Sequence, residues 1–511
     1  MKIFKHGIRT WQNLHGTVSQ SIADCYDLAN ETNGTALENY NDTTKGIQRL
    51  IRESIDSGVP IRPLGGNWSL SAISATPGII LNTKPLNTRF TVGAGSVSPQ
   101  YGGEARKLCL AQCGVCVWEL SGFLNSRGLS LSAVGASNGQ TIVGAMATGT
   151  HGAALNFGAI HDAAVGLHLI TSPNRHIWLE RASYPVVNES FAAKLGAELV
   201  RDDEAFHAAV AGLGAFGFIH GVLLEAEDIY LLEAYLRRVP FDDALLHQLE
   251  SLDFTYPRLP FPGERPFHFQ SLINPYDLDK GVYMTVMYKR PYHSGYTPPR
   301  PNGDGVGPGD DAPCFIGKIT NALPGLVPLL VNQVTAASLT PYEGVTGTLA
   351  EIFCNTTLSG KVASAAIGLP PSEIRKVIEI LMRVNKSHGP FTGLFAFRFV
   401  KGSEALLAFT RFAPVTCVLE LDGVQSPQTM LFYEAMWQAL EAAAIPFTFH
   451  WGKINSMNPE RLQRMYGNNL ARFQAARNRI MDPATLLAFS NDALKSWGID
   501  ASEAKDGTVI V

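Results

Sequence analysis

The sequence predicts an α+β protein of two large units, and three observations predict it. At 511 residues the chain exceeds what one hydrophobic core organises. Residues 1–228 mix short strand and helix patterns in quick alternation, without an internal repeat. Beyond residue 228, amphipathic and strand-like runs around a Pro-, Gly- and Asp-rich stretch, Tyr292 to Cys314, describe a second α+β unit on an antiparallel sheet, 229–450.

In the first unit, Ile47, Leu50, Ile51 and Ile55 recur at helical spacing within Thr43 to Ser57, and Gly58 marks the stop. A short strand, Pro60 to Leu64, runs into Gly65-Gly66-Asn67-Trp68-Ser69, and Ile79-Ile80-Leu81 reads as another strand. Val117 to Arg127 reads as a helix closed by Gly128, Ala163 to Thr171 as a strand, and Arg201 to Gly212 as a helix. Gly214 to Ile219 leads into a strand from Gly221 to Ala226. In the second unit, Pro370-Pro371-Ser372 opens a helix ending near Ser387, with Ile374, Val377, Ile380, Leu381 and Val384 on one face. Ala363 to Gly368, Phe395 to Val400 and Val415 to Leu421 read as its strands, and Pro459 to Ile480 as one polar helix.

Hydrophobic residues at 46% and charged residues at 17% describe a well-filled globular interior. A net charge of −4, with basic residues scattered singly or in pairs, offers no electrostatic case for nucleic acid or an anionic membrane as partner. Seven cysteines do not read as a disulfide framework. Cys113-Gly-Val-Cys116 has the spacing of a metal or redox site, but lies in an apolar alternating stretch, Leu110 to Leu120, without a second pair. It is read as buried strand, and no metal is expected. The N-terminus lacks an apolar signal segment, and Ala322 to Ser338 is too short and Pro-interrupted to span a bilayer. A cytoplasmic protein is the expectation.

The most informative stretch runs from Val134 to Gly152, with five glycines in nineteen positions and small hydroxylated residues between them. Glycine lets a ligand approach the backbone closely, and successive free N–H groups make an anion-binding concavity. Ordinary loops use the same residues, so the run gains weight only with partners elsewhere. It has three: Ile61-Arg62-Pro63-Leu64-Gly65-Gly66-Asn67-Trp68-Ser69, Gly214-Ala215-Phe216-Gly217-Phe218-Ile219, and His450-Trp451-Gly452-Lys453. No G-x-G-x-x-G opens a helix with an acid about twenty residues on, so the Rossmann arrangement is excluded.

On these segments the chain resembles the vanillyl-alcohol oxidase superfamily, with its PCMH-type FAD-binding fold, and within it the aldonolactone, alditol and sugar-alcohol oxidoreductases. The resemblance implies a two-subdomain FAD-binding domain (1–228), a substrate or cap domain (229–450) and a C-terminal segment returning to the FAD domain (451–511). It implies that Gly65, Gly66, Asn67, Trp68, Ser69 and Gly135, Ala136, Ser137, Gln140, Thr141, Gly144, Thr148, Thr150 and Gly152 wrap the FAD pyrophosphate, with Arg62 in the first motif. Gly217 and Ile219 would pass the adenine, and Lys453 would sit near the flavin. His151 would lie near the flavin ring or ribityl chain, or else hold the loop.

Many relatives carry a flavin-linked histidine where this chain has Trp68, preceded by glycine where it has Asn67. Tryptophan cannot form that bond, so noncovalent FAD of lowered potential is expected. The family's Glu-x-Arg pair is represented by Arg398 alone, with Ala396 in place of the glutamate. Arg398, Lys453 and His450 are the catalytic candidates, His450 as general base by residue type. Arg398 has a structural ion pair with Glu404 or Glu420 as its alternative, and Glu420 and Glu351 rank below as acid–base groups. The missing glutamate, the apolar stretch Leu323 to Ala337 and the aromatic strand 395–399 suit a bulky or apolar alcohol, sterol-like or aromatic.

The expected activity is FAD-dependent removal of a hydride from a CH–OH group, with O2 favoured as acceptor and Cys113-Gly114 controlling the space beside the flavin. A dehydrogenase, an epimerase-type sugar oxidation and a flavin carrier without turnover are the alternatives.

Overall fold

The structure is a computed structural model and describes residues 1–300, 308–309, 324–356 and 360–500. The expected loop from Tyr292 to Cys314 and the start of the apolar stretch at 322 and 323 fall partly outside these residues.

Three sheets organise the chain. The first has four strands in the order Lys2–Lys5, Asp24–Ala29, Ile79–Asn82, Ile61–Leu64. Its last three strands are parallel. The second has six strands, from Glu198–Arg201 through Arg175–Glu180, Ala164–Ser172, Phe218–Glu225 and Leu108–Gln112 to Arg89–Thr91. The third has eight, in the order Tyr342–Thr348, Tyr230–Val239, Val282–Pro291, His268–Ile273, Gly393–Lys401, Val415–Val424, Val362–Leu369, Thr448–Phe449, all antiparallel.

Local chemistry moves several element ends away from the expected ones. The first long helix spans Ala36–Ser57 because Thr35 and Glu38 form a capping box, and Gly58 closes it at φ 67°. Arg201 ends a strand, and the Asp202 side chain caps a shorter helix, Asp203–Ala209. The polar tail helix is two, Pro459–Tyr466 and Asn468–Ile480, broken at Gly467 with φ 51° and ψ −126°. The stretch read as strand around Cys113 is strand only to Gln112; Val117–Asn125 is a helix. Cys113 and Cys116 are free thiols, and burial pushes Cys113 up to about 12.

The eight-stranded sheet has two unlike faces. Alternation along Gly393–Lys401 sends Phe395, Phe397 and Phe399 to the side covered by the helices Ile374–His388 and Pro427–Ala442. There Phe391 stacks with Phe395 and Phe432, centroids 5.7 and 4.6 Å apart. Ala396 and Arg398 take the opposite side, where Arg398 lines the cleft and Ala396 packs with Val327 and Val331. The aromatic strand therefore builds the cap's own core and lines no apolar substrate pocket. The apolar stretch forms the helix Val327–Ser338, whose Val327 and Val331 pack on Leu272, Leu394 and Val424. Among the described residues no helix is long and apolar enough to cross a membrane.

Candidate active site

One cleft, with a cavity volume of about 220 Å³, lies between the first two sheets and the open face of the third. Its lower wall is backbone. The strand Ile61–Leu64 delivers the chain into Gly65 to Ser69, and Asn67 takes a left-handed φ of 62°. The N–H groups of residues 65–69, 135–137 and 139–141 find no acceptor among the described residues. Buried backbone donors left in that state are costly, and grouped together they make an anion cradle. The cradle tolerates no added bulk: a Cβ at Gly65 would sit 2.0 Å from Thr141 Oγ1, and one at Gly66 2.9 Å from the Gly139 carbonyl. Thr141 Oγ1 accepts from the Gly144 N–H and starts the helix Ile142–Thr148.

Nearly all the expected cofactor residues line this cleft. Gly152 does not: it is packed behind the loop, where a Cβ would meet the Val134 carbonyl at 2.4 Å. Arg62 lines the cleft but is committed to scaffolding. Its guanidinium donates to the carbonyls of Ile73, Leu213, Gly214 and Phe489, and burial lowers its pKa to about 10. Trp68 packs its ring where a Cβ on Gly139 would come within 2.5 Å, with His15 edge-on at 6.1 Å. Cys113 lines the cleft, whereas Gly114 is packed against the Thr83 and Leu86 carbonyls.

The upper wall is a charged cluster on the sheet face. Register places Ala396 directly opposite Glu420 on the next strand, so both side chains share the cleft face. Glu420 thus supplies a carboxylate where residue 396 lacks one. It lies 2.6 Å from Lys453 Nζ, 3.2 Å from Arg398 and 3.4 Å from His151 Nε2. Glu404, the other expected partner of Arg398, instead lies 3.7 Å from His207. Burial opposes the Glu420 charge, but Arg398, Lys453 and His151 outweigh it and hold its pKa well below the ordinary value. Glu351 has a different task, capping the short helix Leu349–Ile352.

The two cleft histidines differ in what they offer. His151 Nδ1 lies 2.8 Å from the Gly152 carbonyl and Nε2 3.4 Å from Glu420 Oε1, so each ring nitrogen faces an oxygen acceptor. His450 Nδ1 accepts from the Gly452 N–H at 3.0 Å, so in the neutral ring Nε2 carries the proton. Burial lowers both pKa values, that of His450 strongly, with His151 and Lys453 adding to it. His450 is therefore a neutral donor, without the free lone pair that a base requires. The turn at 450–453 also ties the walls together, the Leu70 N–H donating to Gly452 O and Ser71 Oγ to Trp451 O.

Asp422, Ser364 and His15 belong to the site and were not singled out from sequence. The signal for Asp422 was present, since Glu420 and Asp422 alternate on an otherwise apolar strand. The orphaned donors, the Cβ-intolerant glycines and the unpartnered buried Gln140 Oε1 and Asn67 Oδ1 fit a long phosphate-bearing cofactor.

Comparison with known proteins finds the same fold in a VAO-type flavoprotein from Myceliophthora thermophila, which superposes with a TM-score of 0.59 at 14% identity, covering 91% of this chain and 78% of that one. A family described as "FAD binding domain" matches residues 40–179. The D-arabinono-1,4-lactone oxidase of Eremothecium gossypii is 26% identical over 173 residues, 34% of this chain and 28% of that protein. The chain spans about a third of the length of the fungal lactone oxidases it matches. The L-gulono-1,4-lactone dehydrogenase of Mycobacterium tuberculosis is 23% identical over 456 residues, 87% of this chain and 91% of that protein. Cholesterol oxidase from Brevibacterium sterolicum superposes with a TM-score of 0.66 at 16% identity, covering 97% of each chain.

Proposed function

We propose that the protein is an FAD-dependent oxidoreductase that oxidises the CH–OH group of a small, hydroxyl-rich alcohol or lactone, holding its FAD noncovalently and using O2 as acceptor. One observation carries the reading: the buried Arg398–Glu420–Lys453–His151 cluster faces the glycine cradle across a single cleft.

FAD, when bound, supplies the two-electron acceptor for the substrate hydride. The glycine cradle would hold its phosphates through backbone N–H groups, and Trp68 offers no nucleophile for a covalent link. Lys453 and Arg398 would donate to substrate oxygen and stabilise the negative charge that grows there as the hydroxyl proton leaves. His151 Nε2 would accept the hydroxyl proton, with Nδ1–H anchored on Gly152 so that the ring keeps the required tautomer. Glu420 would orient Lys453 and accept from a second hydroxyl. The polar cleft face of the cap supports a hydroxylated substrate over a sterol. The dehydrogenase reading draws on the Mycobacterium tuberculosis relative, named a dehydrogenase.

Anaerobic mixing of the yellow holoprotein with polyols, aldonolactones and sterols tests the reading. Bleaching by a hydroxylated class and rapid recolouring in air are expected. Slow recolouring favours the dehydrogenase, bleaching by sterols alone contradicts the substrate class, and a colourless protein that takes up no FAD contradicts the whole.

A further inference from the structure

The strand Val415–Val424 turns two acids toward the cleft face, Glu420 and Asp422, and their surroundings are unlike. Glu420 meets three basic side chains within 3.4 Å. Among the described residues the one basic side chain within 4.0 Å of Asp422 is Lys453, at 3.8 Å, beyond hydrogen-bonding distance. Its Oδ1 accepts from Ser364 Oγ at 2.5 Å, and its Oδ2 has no partner among the described residues. The residue is 1% exposed. An ionised carboxylate so placed lacks the donors that compensate burial, whereas a neutral one escapes most of that cost.

The other facing groups leave this contrast intact. Burial and the Glu420 charge push the Asp422 pKa up, while Lys453, Ser364 and Arg398 pull it down, and the upward influences prevail. Tyr433, from the helix behind the sheet, spends its hydroxyl on the Ala363 and Leu421 carbonyls and brings no charge. Ser364 is the register partner of Asp422 on the adjacent strand and lines the cleft.

We propose that Asp422 is a positioning residue that keeps its proton in the resting site, orients the Ser364 hydroxyl at the cleft wall, and so leaves the cluster one net positive charge. Arg398 and Lys453 bring two positive charges, Glu420 brings one negative, and neutral Asp422 and His151 bring none. A site with that surplus is ready for one negative charge, such as that developing on substrate oxygen. The use of this charge rests on the flavin oxidoreductase reading; the location of the proton does not. With its proton committed to Asp422, Ser364 presents lone pairs to the cleft and acts there as an acceptor.

Infrared spectra of the holoprotein at neutral pH read the proton directly. A protonated-carboxyl C=O band is expected, shifted in Ser364→Ala and lost in Asp422→Asn. Absence of the band in the native protein, or a band unmoved by Ser364→Ala, overturns the proposal, so the test stands even if Asp422→Asn fails to fold. Sulfite, which adds to flavins as an anion and bleaches them, reads the charge. Glu420→Gln should tighten sulfite binding about tenfold or more, and Asp422→Asn should change it by less than about twofold. Equal tightening in both variants would show Asp422 ionised and overturn the proposal. A purified protein that takes up no flavin would sink the flavin reading and leave the infrared result to decide this one.

Discussion

Backbone builds the lower wall of the cleft, and side chains build the upper one. Below, residues 65–69, 135–137 and 139–141 present N–H groups, and their glycines are held to that identity by approaches as close as the 2.0 Å between a Gly65 Cβ and Thr141 Oγ1. Above, charge is assembled across three strands and a turn: Arg398 from one strand, Glu420 and Asp422 from the next, Ser364 from a third, and Lys453 after the last. The lower wall, made of backbone N–H groups without acceptors among the described residues, suits a phosphate-bearing ligand. The upper wall can discriminate among substrates, because its groups have defined charges and hydrogen-bond roles. Change below should therefore act on cofactor retention, and change above on chemistry and on stability through buried charge.

The largest expected effect is in the upper wall. Glu420→Ala leaves the Arg398 and Lys453 charges without their buried partner, and should cost about 3–5 kcal/mol in urea unfolding. A loss below about 1 kcal/mol would mean that water reaches the cluster and screens it. In the lower wall, Gly65→Ala forces a Cβ against Thr141 and should cost about 1–3 kcal/mol. It should also lower the flavin content of the purified protein, whereas Arg398→Ala should keep flavin and lose turnover. Equal flavin loss in both variants would erase the division between the walls.

Acid should weaken both regions through their buried histidines. His151, His268 and His450 belong to the cleft and cap, while His168 and His220 lie on strands of the six-stranded sheet. Burial lowers all five, His220 and His268 to about 3. The unfolded chain then binds more protons than the folded one as pH falls below 6.5. Stability is therefore full above 6.5 and is lost as pH falls toward the folded values, by up to about 1.4 kcal/mol per pH unit per histidine. Urea midpoints measured across that range check this, and a flat profile would contradict it. The smallest effect belongs to Thr141→Ala, which removes the helix cap from the Gly144 N–H and should cost about 1 kcal/mol.

The two walls were also unequally legible in the sequence. The cradle is written contiguously, as glycines and small hydroxylated residues within two short stretches, and nearly every expected residue there lines the cleft. Arg62 and Gly152 show the limit. The family resemblance places both in the motifs, but only geometry reveals that one guanidinium is spent on four carbonyls and that one glycine packs behind the loop. The cap site is dispersed over about ninety residues and assembled by strand register. Ala396 read as a missing carboxylate because the sequence does not state that residue 420 lies opposite it. The phenylalanines of 395–399 read as a substrate surface because their period of two was visible and the buried face they served was not. The histidine roles turned on single hydrogen bonds, to Gly152 and from Gly452, that no residue type announces.

The central claim is that a charged cap face and a glycine cradle together form one flavin-dependent alcohol-oxidising site. Stopped-flow anaerobic reduction of the native holoprotein and of Lys453→Met by the same hydroxylated substrate tests it most directly, with acid-released FAD measured on both. The account predicts soluble, noncovalent FAD at equal occupancy and flavin reduction at least about a hundredfold slower in the variant. Unchanged reduction at equal occupancy would contradict it.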